Sequence, residues 1–262
     1  MALRTSLLAV PAVAGLTVFA VPGTARADGD YRINLKDTMG NDSGSSGTAH
    51  VSIHGDEMTV RIKGSGFTPK SPHAQHFHGS FSDNKNFTCP TSAADKDGDG
   101  QVTTEEGLPA YGDIMISLTA KGDTSPKSGL AVDRMPKADA EGNLSYKRTI
   151  KLPDGAGDKI RNLHIVQHGL DANGNGKYDA DALGESGFAK SKGVDGIPEE
   201  ATNPATCGTV NGAAAGAPPT GGVETGDGST AGIESAGLFA VGGLALTGAA
   251  GAVFLRRRLG TK

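Results

Sequence analysis

The 262-residue chain has no tryptophan, few aromatic residues (5%) and only two cysteines. It also lacks the patterns that would mark several common classes. No long segment of 3.6-residue apolar period occurs away from the two ends, and Gly at 40 of 262 argues against a helix-rich protein. Those glycines follow no three-residue period, which excludes collagen, and no internal repeat of fixed length is present. There is no basic surplus. All 29 acids fall in residues 28–255 against 19 of the 25 bases, a net −10, and such a surface repels phosphate, so nucleic acid is not an expected partner. Neither a G-x-S-x-G elbow nor an H-E-x-x-H helix occurs, which leaves conventional hydrolase chemistry without support. The 36% of hydrophobic residues suffice for one modest core.

The ends read as addresses. Arg4, an apolar run from Leu7 to Val21 and Ala25-Arg26-Ala27 form the three parts of a secretory signal peptide over residues 1–27. At the other end, residues 235–255 carry no charge and are mostly apolar, long enough to cross a bilayer core of about 30 Å. Arg256-Arg257-Arg258 follow at once and place the tail 256–262 in the cytoplasm. Leu244-Ala-Leu-Thr-Gly248 resembles a sortase sorting signal, but seven apolar residues before the arginines are too few for that signal's own span. Residues 211–234, mostly Gly, Ala, Pro, Thr and Ser, make a linker. The expectation is an exported domain, residues 28–210, held at the extracellular face of the cell membrane by one span.

Within that domain, Tyr31–Leu35, His50–His54, Met58–Lys63, Ile114–Thr119, Leu144–Lys151 and Leu163–Gln167 alternate apolar and polar residues between Gly, Asp, Asn and Pro clusters. This pattern predicts an all-β antiparallel sandwich or barrel. Cys89 and Cys207, an even count in an oxidising compartment, predict a disulfide. It would close a loop worth about 4–5 kcal/mol in the chain-entropy model.

All seven histidines lie in the β-domain. His76 and His78, two apart on a strand, share a face with Cα atoms about 6.6 Å apart, close enough for both imidazoles to reach one ion. Imidazole suits copper and zinc. His164 and His168 also share a face but lie about 13 Å apart, and His168, at the strand end, is the better ligand. His50, His54 and His164 read as structural.

Two acidic loops point to a hard cation. Asp95, Asp97 and Asp99 stand at positions 1, 3 and 5 of a twelve-residue stretch, with Gly100 at 6, Gln101 at 7 and Glu106 at 12. This is the calcium-loop spacing of an EF-hand. Gly107, Pro109 and Pro90 argue against full flanking helices. Asp171, Asn173, Asn175 and Asp179 repeat the first part of the pattern, but position 12 is Ala182, leaving calcium and a plain acidic turn both open.

Gly66-Phe67-Thr68-Pro69 and His73-Ala-Gln-His76-Phe-His78 resemble the GL-x-P-G-x-HGFHVH segment of copper/zinc superoxide dismutases. Cys89-Pro-Thr-Ser-Ala is similar to that family's loop cysteine, Ile165-Val-Gln-His168 to its VVH, and Ala205-Thr-Cys207-Gly-Thr-Val to its ACGVIG strand. The pieces occur in the family's order over about residues 47–210. The resemblance implies a Greek-key β-barrel, His76, His78 and His168 as copper ligands, and a structural role for His73. It also shows departures. No histidine occurs between Gly79 and Leu163, so the bridging imidazole and a complete zinc site are absent, and Asp133 has no zinc partners. Pro204 stands where the family's superoxide-guiding arginine would. The chain is similar as well to the chordin-like (CHRD) domain, a β-module with a paired-histidine motif. Two functions follow: a copper-dependent enzyme acting on superoxide, or a calcium-stabilised surface binding module.

Overall fold

The computed structural model describes residues 28–38, 40–82 and 87–210. The expected signal segment, linker, anchor and basic tail lie outside the described residues. No helix among the described residues is long and apolar enough to cross a membrane.

Eight strands form one antiparallel sheet: β1 Gly29–Asp37, β2 Ser46–His54, β3 Glu57–Ser65, β4 Gln75–Gly79, β5 Asp113–Ser117, β6 Leu144–Lys151, β7 His164–His168 and β8 Pro204–Thr209. Their order across the sheet is β5-β4-β7-β8-β1-β2-β3-β6. Short helices sit in the connections: α1 Thr104–Tyr111, α2 Ala156–Lys159, α3 Gly187–Ser191 and α4 Glu199–Thr202. The connections β3 to β4, β5 to β6 and β6 to β7 each cross between the two halves of the sheet.

The first half follows from alternation. Ile33 and Leu35 on β1, Val51 and Ile53 on β2, and Met58, Val60 and Ile62 on β3 are buried, while the residues between them face outward. A one-residue slip would expose the whole set, so the pattern fixes the register that pairs Val51 with Val60 and Ile53 with Met58. Each such side chain contributes about 1.5–3 kcal/mol by leaving water.

The second half differs. Every residue of β4 and β7 is buried. One face, with Phe77 and Ile165, joins the main core, and the other lies under the long loops. With both faces covered, burial does not alternate along them, and neither β4 nor β8, buried in the same way, was among the six predicted stretches.

The halves meet where β1 pairs with β8 through Lys36 opposite Cys207 and Asp37 opposite Thr206. At the other side, β5 and β6 are the edge strands of the ladder order. Side chains link that side: the Tyr146 hydroxyl donates to the Thr119 carbonyl at 3.2 Å, and Arg148 donates to the same carbonyl at 2.7 Å and to the Gly122 carbonyl. The sheet is thus curled, with its edges tied by side chains.

Cys89 and Cys207 form the predicted disulfide, 118 residues apart in sequence, and it fastens the loop before α1 to β8. The expectation for the acidic loop needs one correction. Pro90 is followed only by a single 3-10 turn on the entry side, but α1 does form on the exit side despite Gly107 and Pro109. Thr103 and Glu106 make a reciprocal capping box, and this secures the first turn. Pro109 removes one intrahelical bond, tolerable in so short a helix.

Replacing both cysteines by serine is expected to destabilise the chain by about 4–5 kcal/mol, because the unfolded chain regains the freedom of a loop of more than a hundred residues. The shift of the urea midpoint, measured under oxidising conditions, checks this; a shift below about 1 kcal/mol would contradict it.

Candidate metal centre

β4 and β7 are neighbours, and their loop-covered face carries the predicted ligands. The strand register breaks between Phe77 and His78 against β5, and between Gln167 and His168 against β8. Such bulges re-aim side chains. The rings of His76, His78 and His168 come together with centroids 5.5, 5.3 and 5.8 Å apart, and one nitrogen of each lies within 4.8 Å of the others. The exposures are 3%, 1% and 4%.

Each ring is turned by one backbone carbonyl. His76 Nε2 donates to Gly129 at 3.0 Å, His78 Nδ1 to Gly112 at 2.8 Å, and His168 Nδ1 to Thr202 at 2.6 Å. A carbonyl only accepts, so the proton belongs on that nitrogen and the tautomer follows. The opposite nitrogens, His76 Nδ1, His78 Nε2 and His168 Nε2, are buried and have no partner. Three bare lone pairs converge in a dry place, which is costly for acceptors left alone and suits a borderline cation. Outer hydrogen bonds that orient imidazoles in this way are the usual support of histidine metal ligands.

Electrostatics agree with neutral rings. Burial, together with the neighbouring imidazoles, pushes His78 down to about 3 and His76 well below its ordinary value. Burial lowers His168 to about 4 against the raising effect of the Thr202 carbonyl.

Several supports were not legible as site residues. Gly112 has φ +80, and a side chain there would strike the Gly79 backbone, so glycine is required at the carbonyl that turns His78. Tyr111 packs edge-on against His78 with centroids 4.6 Å apart and donates to the Thr104 carbonyl at 2.9 Å. Thr104 in turn donates to the Thr202 carbonyl at 2.6 Å. His73 lies between the carbonyls of Thr68 and His168, at 3.1 and 3.0 Å, the structural position expected of it. The Tyr178 hydroxyl reaches His73 at 2.9 Å.

The other histidines stay apart from the trio. His50 and His54 are exposed. His164 is buried opposite His78 on the neighbouring strand, and burial lowers it to about 4.

In the first acidic loop, the carboxylates of Asp95, Asp97 and Asp99 come within 4.8 Å of one another. Asp95 already accepts Gly98 N at 2.7 Å and Gly100 N at 3.1 Å. Glu106 is not brought into that group. Its carboxylate accepts Lys96 N at 2.7 Å and Thr103 N at 2.9 Å, and Gln101 donates its backbone N–H to Asp99 at 2.8 Å. In the second loop, Asp171 accepts Asn175 N and Gly176 N at 3.0 and 2.6 Å. Asn173 and Asn175 donate to Asp179, which also meets the Lys177 ammonium at 3.0 Å. Glu200, fully buried on α4, closes this loop by accepting Ala172 N and Asp179 N at 2.9 and 2.8 Å.

No protein-family model matches the chain, and no curated protein does. Among solved structures, the Cu/Zn superoxide dismutase from Brucella abortus is similar at 18% identity with a TM-score of 0.34, over 69% of this chain and 99% of that one.

A cleft of about 180 Å³ opens over the three histidines. Its walls include Ile114, Leu130, Val132, Phe188, Ile197 and Pro198, and its polar lining is the three histidines with Thr104, Thr202 and Tyr178. No charged side chain among the described residues lines it.

The depressed histidines set a pH dependence. In the unfolded chain these imidazoles take up protons near 6.5, but in the fold not until about 3 to 4. The unfolded state therefore binds more protons between those limits. Stability of the metal-free chain is full above pH 6.5 and falls as pH drops toward 4, by about 1.4 kcal/mol per pH unit for each such imidazole. Thermal melting from pH 7.5 to 4.5 checks this, and H78Q is expected to flatten the slope.

Proposed function

We propose that residues 28–210 form an exported, membrane-tethered metal-binding β-domain in which His76, His78 and His168 hold one copper ion. The observation that carries this reading is the set of three buried, unpartnered nitrogens, each fixed by a carbonyl behind its ring. Three neutral imidazoles suit copper, and zinc by the same donor chemistry. Bound copper would supply one-electron redox chemistry. The chain's own residues would keep the rings neutral, oriented and dry.

Action on superoxide is the narrower version of this reading. It draws support from the four motif resemblances, and it is weakened by the cleft walls, which offer an incoming anion no cation. The second reading is a calcium-stabilised surface module. The clustering of the Asp95, Asp97 and Asp99 carboxylates favours it. The two are compatible, since calcium there would stiffen the segment leading to Thr104, whose hydroxyl shares the Thr202 carbonyl with His168. The signal segment, linker and single span would place the domain outside the cell with its tail in the cytoplasm.

The full-length protein, loaded with copper and calcium and then dialysed, is expected to retain one copper per chain by mass spectrometry. H168A and H76A should each lower copper affinity by at least the roughly ten- to hundredfold that loss of an outer-shell partner costs. Copper retained unchanged in both variants would sink the three-histidine centre. D95N with D99N is expected to abolish any retained calcium and leave copper in place.

A further inference from the structure

The outer face of the first half-sheet carries a row of bases. Strand register places Arg32 of β1, His50 of β2, Arg61 of β3 and Lys147 of β6 side by side across four neighbouring strands. All four are exposed. Neighbouring strands lie about 4.8 Å apart, so the row runs about 14 Å in a line across the strands. Lys63 stands in the next row, between Thr48 and Ser145. Like charges directly opposite one another destabilise a sheet, and Arg61 faces Lys147 in this way. The row therefore works against the fold, in a stretch, residues 28–255, that is net −10 overall.

Nothing on the face offsets it. Among the described residues, the side chains of Arg32, Arg61, Lys63 and Lys147 make no hydrogen bond or ion pair. The two carboxylates at outward positions of these strands stand aside. Asp30 accepts the Ser52 hydroxyl at 2.5 Å, and Glu57 lies at the start of β3 opposite Lys151. A groove of about 680 Å³ runs among Arg32, His50, Arg61 and Lys63, with Thr48 and Ser65 in its lining. Ligand sites span about 300–1,000 Å³, so this is room for more than a lone ion.

The surroundings select among polyanions. No Phe, Tyr or Trp and no large aliphatic side chain points outward from the four strands. Nucleic acid bases would find no stacking platform, and a membrane would find no apolar surface to take up. Strand addition by an acidic peptide needs a free edge, and β1, β2 and β3 are paired on both sides. The rows beside the bases are Asn34, Thr48 and Ser145 on one side, and Ser52, Thr59 and Thr149 on the other. Hydroxyls and amides both donate and accept, as sugar hydroxyls do. The arginine forks match carboxylates. The spacing of the row is close to the length of one sugar ring in an extended chain. The acidic remainder of the domain does not forbid this, because charges beyond about 8 Å are screened at physiological salt.

We infer that this face binds a linear acidic polysaccharide of the polyuronate class, laid across β1, β2, β3 and β6 with its carboxylates on Arg32, Arg61 and Lys147 and its hydroxyls on the flanking rows. The surface is separate from the histidine trio and does not depend on its metal.

The test is isothermal titration of the full-length protein, in calcium-free buffer, with a short alginate oligosaccharide, a single-stranded DNA oligonucleotide of matched charge, and neutral dextran. Alginate is expected to bind at least about tenfold more tightly than the oligonucleotide, to weaken as salt rises, and dextran to give no heat. Arg61→Gln with Lys147→Gln removes the adjacent pair and is expected to weaken alginate at least about tenfold. Lys127→Gln with Lys192→Gln makes the same charge change at exposed loop positions and is expected to leave alginate binding unchanged. Both residues of the first variant are exposed and repel each other, so its melting temperature is expected to be no lower than that of the wild type. Absent alginate binding, an oligonucleotide bound as tightly as alginate, or equal losses in the two double variants would each overturn the inference. The wild-type comparison decides even if a variant folds poorly.

Discussion

Three hydrogen bonds from imidazole N–H to backbone carbonyl hold the centre of this molecule. Gly112 and Gly129 lie on either side of β5 and Thr202 ends α4, and each turns one ring of the trio. Remove any one and a ring is free to flip, exchanging a satisfied donor and a bare acceptor for a useless arrangement. Because carbonyls cannot donate, the choice of tautomer is forced by the chain rather than by the histidines. These connecting segments therefore act as part of the site although they contribute none of its ligands.

The rest of the second half of the sheet serves to keep those loops in place. Asn41 is buried and donates to the Val102 and Pro204 carbonyls at 3.0 and 2.7 Å, tying the first acidic loop to the start of β8. The disulfide holds the segment before it. Glu200 clasps the second acidic loop from the same short helix that ends in Thr202. Tyr178 extends from that loop to His73, and Gly169, at φ +102, leaves the space its hydroxyl occupies. Both acidic loops thus lead, within a few residues, to the carbonyl behind His168.

What could be read from the chain alone divides along the same line. β1, β2, β3 and β6 were visible because one face meets the core and the other meets water, which writes period two into the residues. β4 and β8 are buried on both faces, so no alternation marks them as strands. The trio itself was legible, since His76 and His78 have chelating spacing and His168 closes a strand. Its orienting groups were not, because a carbonyl has no letter in a sequence. Glu106 shows another limit: position 12 of the calcium pattern is filled by the expected residue, and its carboxylate here accepts hydrogen bonds as part of a helix cap. Spacing rules see residue types and not the competing backbone donors nearby.

The placement of β8 carries a consequence for the order of assembly. It is the only described strand that pairs with both β7 and β1, so it alone joins the two halves through a strand ladder. It is also the last of the described strands in the chain, beginning two residues after Thr202. Until it arrives, a nascent chain holds two partial sheets not yet paired to each other, an unpaired Cys89 and, behind His168, a Thr202 carbonyl with no following strand to hold it. The described domain cannot be finished piecemeal from its N-terminus; its two half-sheets close only when β8 is in place, and the cluster of three histidines is completed at the same late stage.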